Sequence, residues 1–214
     1  MTMKYLVLVG DGMADWPSRD EEAGSGKTPL QVARTPHMDR IAQRGVTGSV
    51  MTIPEGYDPG SDVANLSLLG YDPRAYYTGR APLEAASLGV ALGPEDMAFR
   101  CNLVTLGTTE RSLAMEDFSA GHISTDQARQ LVQSLDRELA DEAVRFYPGT
   151  SYRHLMVWKD GRARCLDLKL TPPHDISGQE IGPYLPQGGE AKALLQWMTG
   201  AQMVLKAHPL NRQR

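Results

Sequence analysis

The sequence has little of what would place this chain in a specialised class of proteins. It holds only two cysteines, Cys101 and Cys165, in 214 residues, so a disulfide-stabilised scaffold is excluded by count and the spacing of a zinc site is missing. No apolar run approaches the ~20 residues needed to cross a bilayer, and the first residues lack the pattern of a signal peptide. We therefore expect a cytoplasmic protein without a membrane partner.

A strong charge of one sign is also missing. The formal net charge is -4 and no basic block stands out, which argues against a nucleic-acid footprint. Hydrophobic residues make up 41% and charged residues 22% of the chain, as in ordinary globular proteins. The length suffices for one substantial domain or two small ones, and a small molecule is the expected partner.

Proline and glycine, by contrast, concentrate just before Ser61. Residues 53–72 read IPEGYDPGSDVANLSLLGYD, an irregular loop that leads into a helical pattern from Ser61 onward. Ser61 therefore lies where the free N–H groups of a helix N-terminus favour a bound phosphate. The serine is either a plain helix cap or a nucleophile whose phosphoryl group those N–H groups would hold.

The first seventy residues show the alternation of strand and helix patterns that is typical of a parallel sheet. Residues 4–9 and 46–51 are short apolar runs that predict buried strands. Between them, residues 35–45 read as a capped helix that begins with Pro36. Asp11 follows the first strand, where it is either a turn residue or an oxygen ligand to a divalent cation. We expect Asp11 and Ser61 to meet at the carboxyl edge of this sheet.

The later residues predict a smaller mixed sheet with helices on one side. Two helical patterns stand out, at residues 124–139 and 189–207. The predicted strands are 96–106 with its partner 111–118, and 154–159 paired with 164–168 across the turn signal Asp160-Gly161.

Several blocks of this sequence resemble one protein family. The blocks are LVLVGDGMAD, GKTPLQVARTPHMDRIAQRG, PEGYDPGSDVANLSLLGYDP, YYTGRAPLEAASLGV, MAFRCNLVTL and TPPHDISG. Together they are similar to the archaeal-type, cofactor-independent phosphoglycerate mutases of the alkaline phosphatase superfamily. The resemblance runs from about residue 4 to residue 212.

The resemblance implies an α/β fold with two parts. Residues 1–73 would form the N-terminal part of an alkaline-phosphatase-like parallel-sheet core, and residues 74–205 an inserted α+β cap domain that binds substrate. Residues 206–214 would return toward the second half of the core. In that family the serine matching Ser61 is phosphorylated, and the aspartate matching Asp11 binds one of two divalent metal ions, which are Mn, Mg or Zn; Ser61 would be a ligand as well.

The activity implied by the resemblance is the interconversion of 3-phosphoglycerate and 2-phosphoglycerate through a phosphoserine, under a cap that excludes water. Such a substrate calls for cationic and amide side chains. The candidate substrate-binding residues are Arg80, Arg100, Asn102, Arg153, His154, His174 and Asp175.

Two features depart from the family pattern. Where the family usually shows Asp-Arg-Arg-Ala-Gly-Arg after the strand at 112–116, Phe118, Ser119 and His122 replace the three arginines. Family members are also about twice as long, and the Asp and His blocks of their second half are not found here. We therefore expect an N-terminal portion that is inactive alone, binds at most one cation weakly, and associates with a C-terminal half or with itself. The alternatives are a metal-dependent phosphatase or phosphotransferase on another small phosphate ester, or a non-enzymatic remnant that binds through the cap.

Overall fold

The computed structural model describes residues 3–19, 26–109 and 112–212. The chain divides into two compact units, Met1–Tyr77 and Thr78–Arg214. Helices and sheets are both present, which agrees with the expected α/β class. Among the described helices, none combines the length and hydrophobicity that a membrane crossing requires.

The first unit is built from short helices whose starts are set by local sequence. A capping box opens the first of them: the Thr28 hydroxyl accepts from the Gln31 N–H at 3.3 Å, and the Gln31 side chain accepts from the Thr28 N–H at 2.8 Å. The helices are α1 (Pro29–Val32), α2 (Pro36–Arg44), α3 (Ser61–Leu68) and α4 (Pro73–Tyr76). Proline occupies the first turn of three of these four helices, where its missing N–H costs no hydrogen bond.

The two strands predicted for this unit are not formed. Residues 4–9 and 46–51 carry no strand structure, and their apolar side chains are exposed, with Leu6 at 88% and Val50 at 71%. A strand is stabilised by a hydrogen-bonded neighbour, and no described residue pairs with either segment. The prediction of a parallel pair here was therefore wrong for this chain, although the fold class holds.

The described residues of the second unit form two antiparallel sheets. The strands are β1 (Met97–Asn102), β2 (Thr105–Thr108), β3 (Leu113–Asp117), β4 (Val144–Tyr147) and β5 (Arg153–Trp158). The larger sheet has the order β1-β5-β4 and the smaller pairs β2 with β3. The register sets Arg100 opposite Leu155 and Cys101 opposite His154. The expected mixed sheet is thus antiparallel, and residue 111 of the predicted partner strand lies outside the described residues.

Helices cover both faces of the larger sheet, where we had expected only one to be covered. On one face α6 (Thr125–Leu139) and α7 (Ala191–Ala207) enclose the main core, which includes Phe99, Phe146, Met156 and Trp158. On the other face α5 (Arg80–Leu88) packs Ala81 and Ala85 against Leu155 and Val157. The reason lies in β5, whose run His-Leu-Met-Val-Trp is apolar at both alternating positions and so requires cover on both sides.

The predicted hairpin at Asp160-Gly161 is also wrong. A two-residue type I′ turn requires positive φ at both central residues, but Asp160 has φ 54° and Gly161 has φ -84°. The chain instead continues into a 3₁₀ helix, Arg162–Cys165, which buries Cys165 in the core. The predictions of α6 and α7 are confirmed.

Candidate functional site

Ser61 is the first residue of α3, and it is not the helix cap. Gly60 occupies the cap position in an extended conformation with φ -151°. The Ser61 side chain is exposed, and its hydroxyl donates or accepts no hydrogen bond among the described residues. The capping interpretation of Ser61 therefore fails, and the hydroxyl is available at the electropositive end of an eight-residue helix.

Asp11 lies in a turn with Gly12, whose φ of 73° is readily adopted only by glycine. Its carboxylate is exposed, and no hydrogen bond joins it to Ser61 in the described chain. The sheet edge at which the two were expected to meet is not formed. Within the described ranges no three His, Cys, Asp or Glu side chains cluster. Asp11 and Ser61 alone do not fit a metal site, because a divalent cation takes about four to six ligands.

The second unit carries a groove of about 810 Å³. Four of the predicted substrate-binding residues line it: Arg80, Arg100, Asn102 and His174. Arg80 opens α5, and Arg100 and Asn102 alternate along β1 on the face that α5 covers. His174 comes from the 3₁₀ helix Pro173–Ile176.

The charges along the groove are mostly positive. Arg162 also lines it and donates from Nη1 to the Pro94 carbonyl at 3.2 Å. Asp96 is the acidic lining residue, and its two oxygens accept from the N–H groups of Gly93 and Asp160 at 2.7 and 3.1 Å. Three arginines stand against two carboxylates, the internally bonded Asp96 and Glu84 beside Arg80 and Arg100, and this positive excess favours a small anionic ligand.

Glu84 is a site residue that sequence reasoning missed. Its Oε1 lies 3.2 Å from Arg80 Nε and 2.8 Å from Arg100 Nε. The Arg100 N–H is not aimed well enough at that oxygen for a hydrogen bond, so the contact is an ion pair. The i,i+4 spacing of Arg80 and Glu84 is a sequence signal for the first contact. The contact with β1 has no such signal.

The other three candidates lie away from the groove lining. Arg153 is exposed, with its guanidinium 4.9 Å above the Tyr152 ring and Nη2 donating to the Tyr152 hydroxyl at 2.9 Å. Asp175 approaches its neighbour His174, with Oδ1 3.3 Å from Nε2. His154 is buried on the opposite face of the sheet from Arg100.

The buried His154 is held neutral. Its Nδ1 accepts from the Gly149 N–H at 3.1 Å, while Nε2 has no partner in the described part of the chain. Burial lowers the pKa of this imidazole to about 4, because the charged form is poorly solvated there. A substrate-binding role for Arg153, His154 and Asp175 stays a prediction.

The loop that follows β3 contains Phe118, Ser119 and His122, at whose positions the resemblance implied arginines. The Phe118 ring packs edge-on against Tyr152 and His174, with centroids 5.8 and 6.2 Å apart. The Asp117 carboxylate accepts from the Ser119 hydroxyl and N–H and from the Gly121 N–H, and these bonds keep its pKa below the usual value. Ala120, Gly121 and His122 all have positive φ, so the carboxylate stabilises a backbone that is otherwise unfavourable.

Comparison with known proteins identifies the family. A sequence profile of 2,3-bisphosphoglycerate-independent phosphoglycerate mutase matches residues 42–211. A probable 2,3-bisphosphoglycerate-independent phosphoglycerate mutase of Geobacter sulfurreducens is 56% identical over 212 residues, which are 99% of this chain and 52% of that protein. The mutase of Methanosarcina acetivorans is 54% identical, over 99% of this chain and 51% of its own length.

Two solved structures are also similar to this chain. The cofactor-independent phosphoglycerate mutase of Thermoplasma acidophilum aligns with a TM-score of 0.54 at 28% identity, over 95% of this chain and 53% of its own. A Pyrococcus horikoshii protein aligns with a TM-score of 0.63, also at 28% identity, over 95% of this chain and 45% of its own. The chain spans about half the length of the curated relatives it matches. It belongs to the 2,3-bisphosphoglycerate-independent phosphoglycerate mutase family.

Proposed function

We propose that this chain supplies the phosphoryl-accepting serine and the substrate groove of an enzyme that interconverts 3-phosphoglycerate and 2-phosphoglycerate. The observation that carries the proposal is the groove of the second unit, in a chain that belongs to a mutase family. Arg80, Arg100, Asn102 and His174 line it together, and these side chains match the phosphate and carboxylate of a phosphoglycerate.

The parts of the chain implied by the resemblance would have different roles in the reaction. Residues 1–73, with Asp11 and Ser61, would form part of the core in which phosphoryl transfer takes place. Residues 74–205 would form the cap that holds the glycerate portion, and residues 206–214 would lead back to the core. The divalent metal ions implied by the resemblance, Mn, Mg or Zn, would need ligands besides Asp11 and Ser61, because the described residues do not form a metal site.

The chemistry assigned to Ser61 is a double phosphoryl transfer. Its oxygen would form a bond to the phosphorus of 3-phosphoglycerate as the bond to the substrate 3-oxygen breaks, and in the net balance the serine proton would pass to that 3-oxygen. The 2-oxygen of the retained glycerate would then form a bond to the phosphorus as the bond to the Ser61 oxygen breaks, and the 2-hydroxyl proton would restore the serine hydroxyl. The N-terminal N–H groups of α3 are suited to the phosphoryl oxygens, and Arg80 and Arg100 to the glycerate carboxylate. A cytoplasmic location goes with this substrate.

A second candidate is a phosphatase or phosphotransferase that acts on another small phosphate ester. It is favoured by Phe118, which contacts His174 of the groove in a loop where the family usually carries arginines. An aromatic ring in place of a guanidinium lowers the positive charge near that end of the groove. A ligand with fewer negative charges than phosphoglycerate would fit such a change.

The test compares Ser61→Ala with Ser67→Ala, a control on the same helix. Each chain is incubated with 3-phosphoglycerate and Mn²⁺, alone and with the C-terminal half of the Geobacter sulfurreducens relative added. ³¹P NMR follows 2-phosphoglycerate, and mass spectrometry locates phosphoserine. We expect turnover only with the added half, phosphate on Ser61, and no turnover from Ser61→Ala, while Ser67→Ala behaves as wild type.

Two results would contradict this assignment. An active Ser61→Ala chain would rule out the phosphoserine route. Release of inorganic phosphate without any 2-phosphoglycerate would favour the phosphatase instead.

A further inference from the structure

Glu84 is a groove-side carboxylate to which the proposed reaction gives no role. It stands on α5, one turn after Arg80, and its single oxygen Oε1 contacts Nε of Arg80 at 3.2 Å and Nε of Arg100 at 2.8 Å. The Glu84 side chain is 25% exposed and that of Arg100 26%. One half-buried carboxylate therefore joins an arginine from a helix to an arginine from a strand.

The elements that carry these three side chains are themselves fixed. Ala81 and Ala85 of α5 are buried against Leu155 and Val157 of β5. Arg100 lies opposite Leu155 in the antiparallel register. Because this packing already joins α5 to the sheet, the Glu84 contact restrains mainly the rotamers of the two arginines.

Glu84 Oε1 accepts a hydrogen bond from Arg80 Nε and forms an ion pair with Arg100 through Nε, and it leaves the Nη donors of both arginines. A guanidinium has five N–H donors, of which Nε carries one and the Nη atoms carry four. Among the described residues, neither arginine donates a hydrogen bond from an Nη atom. Both side chains line the groove, so their remaining donors are free for a ligand.

We propose that Glu84 is a positioning residue that holds Arg80 and Arg100 by Nε and orients their Nη donors toward one anionic group of the groove ligand. The ligand class is a small phosphate ester or carboxylate. This inference rests on the anion-binding function proposed for the groove and adds a residue that does not itself contact the ligand.

The sign of the effect separates positioning from simple electrostatics. Removing the Glu84 charge makes the groove more positive, and Coulomb attraction alone would then strengthen anion binding. Positioning gives the opposite result. Two arginines without a restraint must lose their rotamer freedom when the ligand binds, and that loss weakens binding.

The experiment is a calorimetric titration of the 214-residue chain with inorganic phosphate and with 3-phosphoglycerate. We expect Glu84→Ala to weaken binding about tenfold, which is ~1.4 kcal/mol. Glu84→Gln should weaken it only about threefold, because the amide oxygen still accepts from Arg80 Nε, while the charge that attracts Arg100 is lost. The Arg80 Nε–H NMR signal should shift in Glu84→Ala and largely recover in Glu84→Gln.

Asp126→Asn is the matched control. Asp126 pairs with Arg129 at 2.9 Å on the exposed face of α6, so this variant makes the same change in net charge away from the groove. Its affinity should equal that of wild type. Urea unfolding midpoints check that each variant folds, and Glu84→Gln decides the question if Glu84→Ala does not fold.

Two results would overturn the inference, and they differ in whether they also refute the anion-binding function of the groove. Equal or tighter binding by the Glu84 variants would refute positioning and leave the function of the groove intact. No binding by wild type, or unchanged binding by an Arg80→Ala, Arg100→Ala double variant, would refute the anion-binding groove and the role of Glu84 with it.

Discussion

At the scale of single residues, His154 couples the stability of the second unit to pH. It is 2% exposed, and its pKa falls from 6.5 to about 4 in the folded chain. The unfolded chain therefore binds a proton below pH 6.5 that the folded chain binds only near pH 4. The contribution of the neutral imidazole is complete above pH 6.5 and is lost as the pH falls toward 4.

We predict that the free energy of unfolding falls by up to about 3 kcal/mol between pH 6.5 and pH 4 on account of this residue. Urea titrations at pH 7 and pH 4.5 measure the fall. His154→Asn should reduce it, because the amide oxygen can replace Nδ1 as the acceptor for Gly149 but does not titrate. His174→Asn, a change at a side chain that is 54% exposed, should not. An equal fall in wild type and His154→Asn would show that other groups cause it.

Cys101 gives a second residue-scale prediction. The residue as a whole is partly buried, but burial of its sulfur, with a smaller contribution from Glu84, raises the pKa of the thiol to about 12. At pH 8 only about one thiol in ten thousand would be ionised, and the thiolate is the reactive form. In a Cys165→Ser chain we expect iodoacetamide to modify Cys101 more than a hundredfold more slowly when folded than in urea. Rapid labelling of the folded chain would contradict this.

At the scale of elements, Asp136 links α6 to β4 through hydrogen bonds. Its Oδ1 accepts from the Phe146 N–H and from Arg145 Nε, both at 2.9 Å, and its Oδ2 accepts from Arg145 Nη2 at 2.7 Å. The hydrogen bonds from the Arg145 side chain are the main reason that the pKa of Asp136 lies below its usual value. This one carboxylate thus joins a helix to an edge strand of the larger sheet.

We predict that Asp136→Ala lowers the free energy of unfolding by about 1–2 kcal/mol. The estimate is modest because the Arg145 side chain is 58% exposed and water can replace part of the pairing. Urea unfolding measures the loss. Asp126→Ala removes an exposed ion pair within α6 and should lower the free energy of unfolding by less than about 0.5 kcal/mol. Equal losses in the two variants would refute the role of Asp136 in linking α6 to β4.

A comparison of helices and strands shows which elements can be predicted from the sequence. α6 and α7 carry their own periodic apolar face, and Ser124 caps α6 by accepting from the Gln127 N–H at 3.3 Å, so local information suffices. Residues 4–9 and 46–51 have the composition of strands, but a strand exists only beside another. The sequence of either segment does not indicate whether a neighbouring strand is present.

The candidate site was predictable to the extent that it depends on spacing within one element. Arg100 and Asn102 are two residues apart on a strand, and both line the groove. The opposite placement of His154 follows from the pairing of β5 with β1, which pattern alone does not reveal. Glu84 bridges a helix and a strand 16 residues further along, so only the packing of α5 on β1 identifies it.

At the scale of the whole molecule, the two units differ in how much they bury. In the described residues of the first unit only Val63 and Pro73 are buried, whereas the second unit contains both hydrophobic clusters. Stability against local opening follows buried apolar contact. The second unit should therefore hold most of the folding free energy of this chain.

Hydrogen–deuterium exchange with mass spectrometry tests this difference. We expect amides of α2 and α3 to exchange within seconds to minutes, while those of β5 and α6 remain protected until the second unit unfolds. A fragment of residues 78–214 should show the same protection as the full chain. Comparable protection in α2 and α6, or a fragment that does not fold, would contradict the prediction.

The loop after β3 has an evolutionary consequence. Asp117 accepts from the N–H groups of residues 119 and 121 and from the Ser119 hydroxyl, and the Ser119 hydroxyl oxygen accepts from the N–H of residue 122. None of these bonds involves the side chain of Phe118 or His122. Replacing the side chain at position 118 or 122 therefore leaves these hydrogen bonds in place. A lineage could exchange arginines for Phe118 and His122 one at a time, through folded intermediates, so this loop is a place where related proteins can drift apart in ligand preference while their fold stays the same.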